Sequence, residues 1–338
     1  MIQILERLVE KFPGLTDIHI TEGAPILVRK SGALLPSAFI AESGLLSELA
    51  DRYMSEERKK EFVKTGNCDA SFTLMGLRCR MHFYKAGEKK AAAIRILPTL
   101  DDMPPDRDDE WLNSLSSLLT GLVLISGPSG SGKSTTMARI LQKINGRRPC
   151  HIITLEDPVE YILPSDKALI HQREIGTDVA GFPEGVRAGL REDPDVIAIG
   201  EMRDLETISA ALTAAETGHL VLGTIHTGTA AGGIRRLIHA FPESGQSEAR
   251  YTLSSVLKSI SAQRLYQGSS GTVLLREILT NTPAISHLIR EGKEEQIPSY
   301  METATKDMRT MKHQVYELLR EGSVPAGEQA KLLRFISR

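Results

Sequence analysis

The sequence predicts an α/β protein in two parts, a small α+β region followed by a layered α/β region on a largely parallel sheet. Three observations predict it. Apolar, strand-like runs at 121–126, 151–155, 196–200, 219–224 and 272–278 alternate with helical stretches. The first of these runs leads into a glycine-rich turn and then a helix-compatible segment, 134–144. Upstream, an Asp- and Pro-rich stretch sets about a hundred residues of shorter, mixed patterns apart from the rest.

Taken in chain order, Ile4, Leu5, Leu8 and Val9 recur at helical spacing. Asp17-Ile18-His19-Ile20 alternates like a strand, and Pro25 to Arg29 with Ser31-Gly32 reads as strand then turn. Residues 56–63 form a charged helical pattern, and 72–74, 77–83 and 91–97 read as strands. Residues 1–97 are therefore expected to be one small α+β domain. The stretch 98–112 is expected to be the linker, because its Asp and Pro residues favour no packed element. Residues 113–338 then form the α/β domain, with no internal repeat and no low-complexity tail.

Composition narrows the classes. With 41% hydrophobic and 25% charged residues, the 338-residue chain is ordinary for a globular protein and long enough for two cores. A net charge of −2 gives no global attraction to nucleic acid, and no direct nucleic-acid partner is expected. Cys68, Cys79 and Cys150 are odd in number and fit no metal spacing, so free thiols in a reducing cytoplasm are expected. No apolar run approaches membrane-spanning length and the N-terminal residues lack the pattern of a signal peptide, so any membrane contact is expected to be peripheral.

The glycine-rich turn, Gly127-Pro128-Ser129-Gly130-Ser131-Gly132-Lys133-Ser134, fits G-x-x-x-x-G-K-[ST]. Glycines let successive backbone N–H groups turn inward around a phosphate, and the following helix adds its positive end. Ser129, Gly130, Ser131, Gly132, Lys133, Ser134 and Thr135 are thus the expected nucleotide contacts, with Lys133 reaching the phosphates and Ser134 ligating Mg²⁺. A second signal is Asp195 to Ile199, an apolar strand followed by Gly200 and Glu201. A carboxylate at that strand end can polarise the attacking water. Between them, Glu156, Asp157 and Glu160 follow another apolar strand, where acids suit a magnesium ion held partly through water. His219 and His226 flank a further strand.

These segments, in this order, resemble the Walker A, Asp box, atypical Walker B and His box of the type II/type IV secretion ATPases. The subgroup most similar is that of the type IV pilus retraction ATPases. Gly200-Glu201-Met202-Arg203-Asp204, Thr217-Gly218-His219 with Thr224-Ile225-His226-Thr227, and Ile170 to Gly176 carry the resemblance most specifically. Asp17-Ile18-His19-Ile20 and the segment 282–292 extend it over nearly the whole chain. The resemblance implies a homohexamer with a PAS-like N-terminal domain and a RecA-like P-loop C-terminal domain. It implies ATP and Mg²⁺ as ligands, and a location in the cytoplasm at the inner membrane. An inner-membrane pilus platform protein is the implied partner, and an assembly ATPase a further candidate. By position, Glu201 becomes the catalytic glutamate, Glu160 an organiser of metal and water, and His226, with His219, a sensor of the nucleotide. Arg78, Arg80 and Arg95 become candidate arginine fingers, Arg78 and Arg80 sharing one strand face. A motor for pilus assembly, secretion or conjugative transfer, and a nucleotide-binding regulator without turnover, remain the alternatives.

Overall fold

The computed structural model describes residues 3–269, 271–303 and 308–336, and the chain divides into two compact units. The first contains α1 (Gln3–Lys11), β1 (Leu15–Thr21), β2 (Pro25–Lys30), β3 (Ala33–Ile40), α2 (Ser43–Tyr53), α3 (Glu56–Thr65), β4 (Asn67–Leu74), β5 (Leu77–Ala86) and β6 (Lys89–Ile96). Its sheet has the order β3-β2-β1-β6-β5-β4 and is antiparallel at every pairing. Alternation decides which face is covered. Phe72 and Leu74 on β4, Cys79, Met81 and Phe83 on β5, and Ile18 and Ile20 on β1 are buried in one core with Leu5, Leu8, Leu45 and Leu49 of the helices. The other face carries Ser71, Arg80, Arg95 and Asp17, which lie opposite one another across four strands.

The stretches Glu156–Leu163 and Gln172–Ala180 also belong to this first unit, although they lie far along the chain from its other residues. Arg78 explains the attachment. Its Nε donates to the Val159 carbonyl at 2.7 Å, and its Nη2 pairs with Glu174 at 2.9 Å and meets the Ser71 hydroxyl. Arg58 adds a donated bond to the Ile175 carbonyl at 3.2 Å.

The second unit contains α4 (Asp109–Ser116), β7 (Gly121–Ser126), α5 (Lys133–Arg147), most of β8 (His151–Glu156), half of β9 (Leu169–Glu174), α6 (Phe182–Gly189), β10 (Val196–Ile199), α7 (Leu205–Glu216), β11 (Leu220–Ile225), α8 (Ala230–His239), α9 (Glu243–Val256), β12 (Leu257–Gly268), β13 (Gly271–Thr280), α10 (Pro283–Arg290), α11 (Ile297–Thr303), α12 (Met311–Arg320) and α13 (Gln329–Ile336). The sheet order is β13-β12-β7-β11-β10-β8-β9. β12, β7, β11, β10 and β8 run parallel to one another, and β13 returns antiparallel to β12. Every residue of β7, β10 and β11 is buried. Helices cover both faces of a parallel sheet, so such strands read as continuous apolar runs rather than alternating ones.

Three strands escape the sequence reading. β3 is exposed along most of its length and contains Pro36, which an edge strand tolerates. β9 is an edge strand of mixed polarity. β12 buries Ser259, Ser261 and Gln263 among its apolar residues, which breaks the apolar run that marks its neighbours. The expected linker 98–112 is also partly structured. α4 begins at Asp109, and Asp109 and Glu110 suit the positive end of a helix.

All three cysteines are free, and burial pushes the thiols of Cys68 and Cys79 up to about 11. No helix of the described residues is long and apolar enough to cross a membrane.

Candidate active site

β7 ends at Ser126, and the chain enters the loop through Gly127 and leaves it at Gly132, the N-cap of α5. Both glycines have positive φ, 150° and 87°. At Gly127 the requirement is also steric, because a Cβ there would stand 2.4 Å from the Gln263 carbonyl and 2.4 Å from Ser131 Oγ. Lys133 folds its side chain back over the loop. Its ammonium donates to the carbonyls of Gly127 at 2.8 Å and Pro128 at 3.0 Å, and the residue is only 9% exposed. Ser129 and Gly130 form the exposed lip, and Ser134 and Thr135 lie half-buried in the first turn of α5. Ser131 Oγ is buried without a hydrogen-bond partner. A cradle that excludes a Cβ, an orphaned hydroxyl and a nearby cation are what a phosphate requires, so these residues fit a nucleotide's phosphates.

The second half of this site comes from the ends of β10 and β11. β11 lies between β7 and β10, so the loop and the acid occupy the carboxyl ends of strands two places apart. Ligands of open α/β sheets bind at that edge. Glu201 follows β10 after Gly200 and is largely buried, its side chain 18% exposed. Its Oε1 lies 2.9 Å from His226 Nε2 and is also paired with Arg203 Nε. His226 is aimed by the turn it follows. The Ser126 hydroxyl donates to the Thr227 carbonyl at 2.7 Å and accepts from the Thr227 N–H at 3.1 Å, tying the exit of β11 to that of β7. The Met202 N–H donates to the Thr224 carbonyl at 2.9 Å, which fixes the segment after Glu201 against β11. Burial first, and then the field of Lys133, lower the pKa of His226 despite the opposing pull of Glu201. At neutral pH His226 is therefore a neutral imidazole beside the carboxylate.

Lys133, Ser134, Glu201 and His226 thus share one edge of the second unit. His219 does not join them. It precedes β11, at the opposite end of the strand from His226, and roughly 20 Å of extended chain separates the two. There its ring contacts the Ala214 carbonyl at 2.9 Å and the Thr217 hydroxyl at 3.2 Å, closing the end of α7. The expectation that it contacts the nucleotide gives way to this local role within its unit.

The remaining predicted residues lie in the first unit. Glu160 is half-buried in the stretch Glu156–Leu163. Arg78 is mostly buried and engaged with Val159 and Glu174, as described. Arg80 approaches Asp69 at 3.6 Å and is 45% exposed, and Arg95 donates to Asp17 at 2.9 Å and is 69% exposed. Burial alone would raise the pKa of Asp17, but the Arg95 and Thr16 hydrogen bonds outweigh it and the net shift is downward.

Two side chains of this site escaped the sequence reading, Arg203, which pairs with Glu201, and Gln263 of β12, which contacts the loop. Arg203 stood within the resemblance but carried no assigned role. For Gln263 the available signal was a long amide in a stretch later found to be strand, where a buried polar group must have partners.

The family described as Type II/IV secretion system protein matches residues 98–329. The chain is 38% identical over 333 residues to the type IV pilus retraction ATPase PilT of Pseudomonas aeruginosa, covering 94% of this chain and 95% of that protein. Among solved structures, the pilus retraction motor PilT with bound ADP matches with a TM-score of 0.84 at 38% identity, covering 98% of this chain and 96% of the other. The ATPase DotB of Legionella pneumophila matches with a TM-score of 0.84 at 26% identity, covering 99% and 96%.

Proposed function

The chain belongs to the family of type II/IV secretion system proteins, and from that premise we propose that it is an ATP-hydrolysing motor powering type IV pilus retraction. The observation that carries the reading is the pairing of a phosphate cradle with a carboxylate, Glu201, on one sheet edge, oriented by His226. In this reading the first unit is PAS-like and the second RecA-like. The chain works as a homohexamer in the cytoplasm, against an inner-membrane pilus platform protein.

The roles follow from the chemistry of each group. The backbone N–H groups of the loop, from Ser129 to Thr135, hold the phosphates. Lys133 moves its ammonium from the Gly127 and Pro128 carbonyls to phosphate oxygens, a stronger set of acceptors. The Ser134 hydroxyl, with Glu160 through water, would hold a magnesium ion, which would offset the phosphate charge that repels the incoming water. Glu201 accepts the proton of that water as general base, and the His226 ring 2.9 Å away keeps its carboxylate aimed. Arg80 and Arg95, the most exposed of the three arginines, act as fingers that neutralise charge in the transition state. Arg78, with its guanidinium already engaged, braces the segment bearing Glu160.

A phosphate-release assay tests the reading. Glu201→Gln keeps the shape of the side chain but cannot accept the proton, so turnover should fall about a hundredfold or more while nucleotide still binds. Equal release from the variant and the parent would remove Glu201 from this role. The matching family, described as Type II/IV secretion system protein, favours a second reading, a motor of the same design serving a secretion system rather than a pilus.

A further inference from the structure

Below the phosphate loop lies a chain of buried polar side chains that no step above uses. Gln263 on β12 is fully buried. Its Nε2 donates to the Ser131 carbonyl at 2.9 Å, and its Oε1 accepts from the Thr136 hydroxyl at 3.1 Å. The Thr136 hydroxyl in turn accepts from Arg276 Nη2 at 2.9 Å. Arg276, also fully buried, donates through Nη1 to Asp108 at 2.7 Å, and Arg309 donates to the other Asp108 oxygen at 2.6 Å. The Arg276 guanidinium lies 5.1 Å from the centre of the Trp111 ring.

The direction of every proton in this chain is fixed from one end. A guanidinium is charged at all accessible pH and only donates. Thr136 must therefore accept from Arg276, and its single O–H is left to donate to Gln263. The oxygen of the Gln263 amide must face Thr136, which turns the N–H₂ toward Ser131. The flipped amide would set two acceptors face to face at Ser131, in a fully buried site.

We propose that Gln263 is a positioning residue for the phosphate loop, with Thr136 and Arg276 fixing its orientation. The proposal rests on the nucleotide-binding reading of the loop. Its physical basis is the planar trans peptide, in which the C=O and the N–H point to opposite sides. Holding the Ser131 carbonyl down on Gln263 turns the N–H of Gly132, in the same peptide, toward the cradle. The close fit at this point is visible from the glycines. A Cβ on Gly127 would strike the Gln263 backbone carbonyl, and one on Gly132 would stand 3.4 Å from the side-chain Nε2. Gln263 thus sets both the floor of the loop and the direction of one of its donors.

The test uses the full chain, with Mg-ADP as the binding probe and ATP turnover as the second readout. Gln263→Met preserves length and removes both hydrogen bonds. It should weaken Mg-ADP binding and raise KM for ATP by about tenfold, the worth of one or two hydrogen bonds, while kcat at saturating ATP falls less than about threefold. Gln263→Glu can still accept from Thr136 but cannot donate to Ser131, and should bind no better than the Met variant. Thr136→Val breaks the next link and should weaken binding in the same direction, whereas Thr136→Ser keeps the hydroxyl and should restore parental values. A Gln263→Met protein that melts as the parent does and binds Mg-ADP with parental affinity would overturn the proposal. Should that variant fail to fold, the Thr136 pair decides, and equal affinity of the Val and Ser forms would overturn it. A parent that takes up no Mg-ADP would remove the nucleotide reading and this proposal together.

Discussion

His226 lies between a cation and an anion, and its titration is set by that position. Burial, Lys133, Arg203 and Arg236 disfavour its charged form, Glu201 favours it, and the net shift is below the ordinary 6.5. In the unfolded chain the imidazole takes up a proton near pH 6.5, whereas in the folded protein it resists until a lower pH. The unfolded state then binds more protons, so stability should fall as pH drops below about 6.5. The loss should continue until the folded pKa is passed. Denaturant unfolding of the parent and His226→Gln at pH 7.5 and pH 5.5 checks this, and the variant should lose less stability on acidification. Identical losses would mean that His226 contributes nothing to the acid limb. Among individual site residues, Lys133, Ser134 and Glu201 could be read from spacing alone, because their chemistry depends on a local loop and a strand end. His219 could not. A histidine at the start of a strand and one at its end look alike in a sequence, and only the direction of β11 separates them.

The segment from Gly200 to Thr207 shows how one element prepares the next. β10 ends, Glu201 turns toward His226, and α7 begins at once under the cap of Asp204. The Asp204 carboxylate accepts from the Thr207 N–H at 2.8 Å and from the Thr207 hydroxyl at 2.9 Å. Replacing it with Ala should cost about 1 kcal/mol, lowering the thermal midpoint by about 2–4 °C. Asp204→Ser should recover most of that loss, because a hydroxyl also accepts at this position. A midpoint unchanged in Asp204→Ala would show that α7 is held by packing alone. The strands that the sequence reveals, β7, β10 and β11, are those buried on both faces, where apolar content and strand position coincide. β3 and β9 lie at sheet edges and need no apolar pattern. On β12, Gln263 is held by hydrogen bonds to Ser131 and Thr136, more than a hundred residues away, a relation no local pattern contains.

As an assembled machine, the protein is proposed to withdraw pili, and the cell gives the test. Deleting the gene should leave more surface pili, counted by electron microscopy, and these should not retract. Bald cells would point instead to assembly, and unchanged pili with a secretion defect to the secretion-motor reading. The α/β class, and the placing of the glycine-rich turn and of Glu201 at strand ends, could be read from spacing and alternation. Each depends on residues within one turn or one strand, where local stereochemistry governs. Assignment of Glu156–Leu163 and Gln172–Ala180 to the first unit, the separation of His219 from His226, and the buried run from Ser131 to Arg309 emerged only on folding. Such pairings join groups distant along the chain, and their energy comes from excluding water around partners that local sequence does not name.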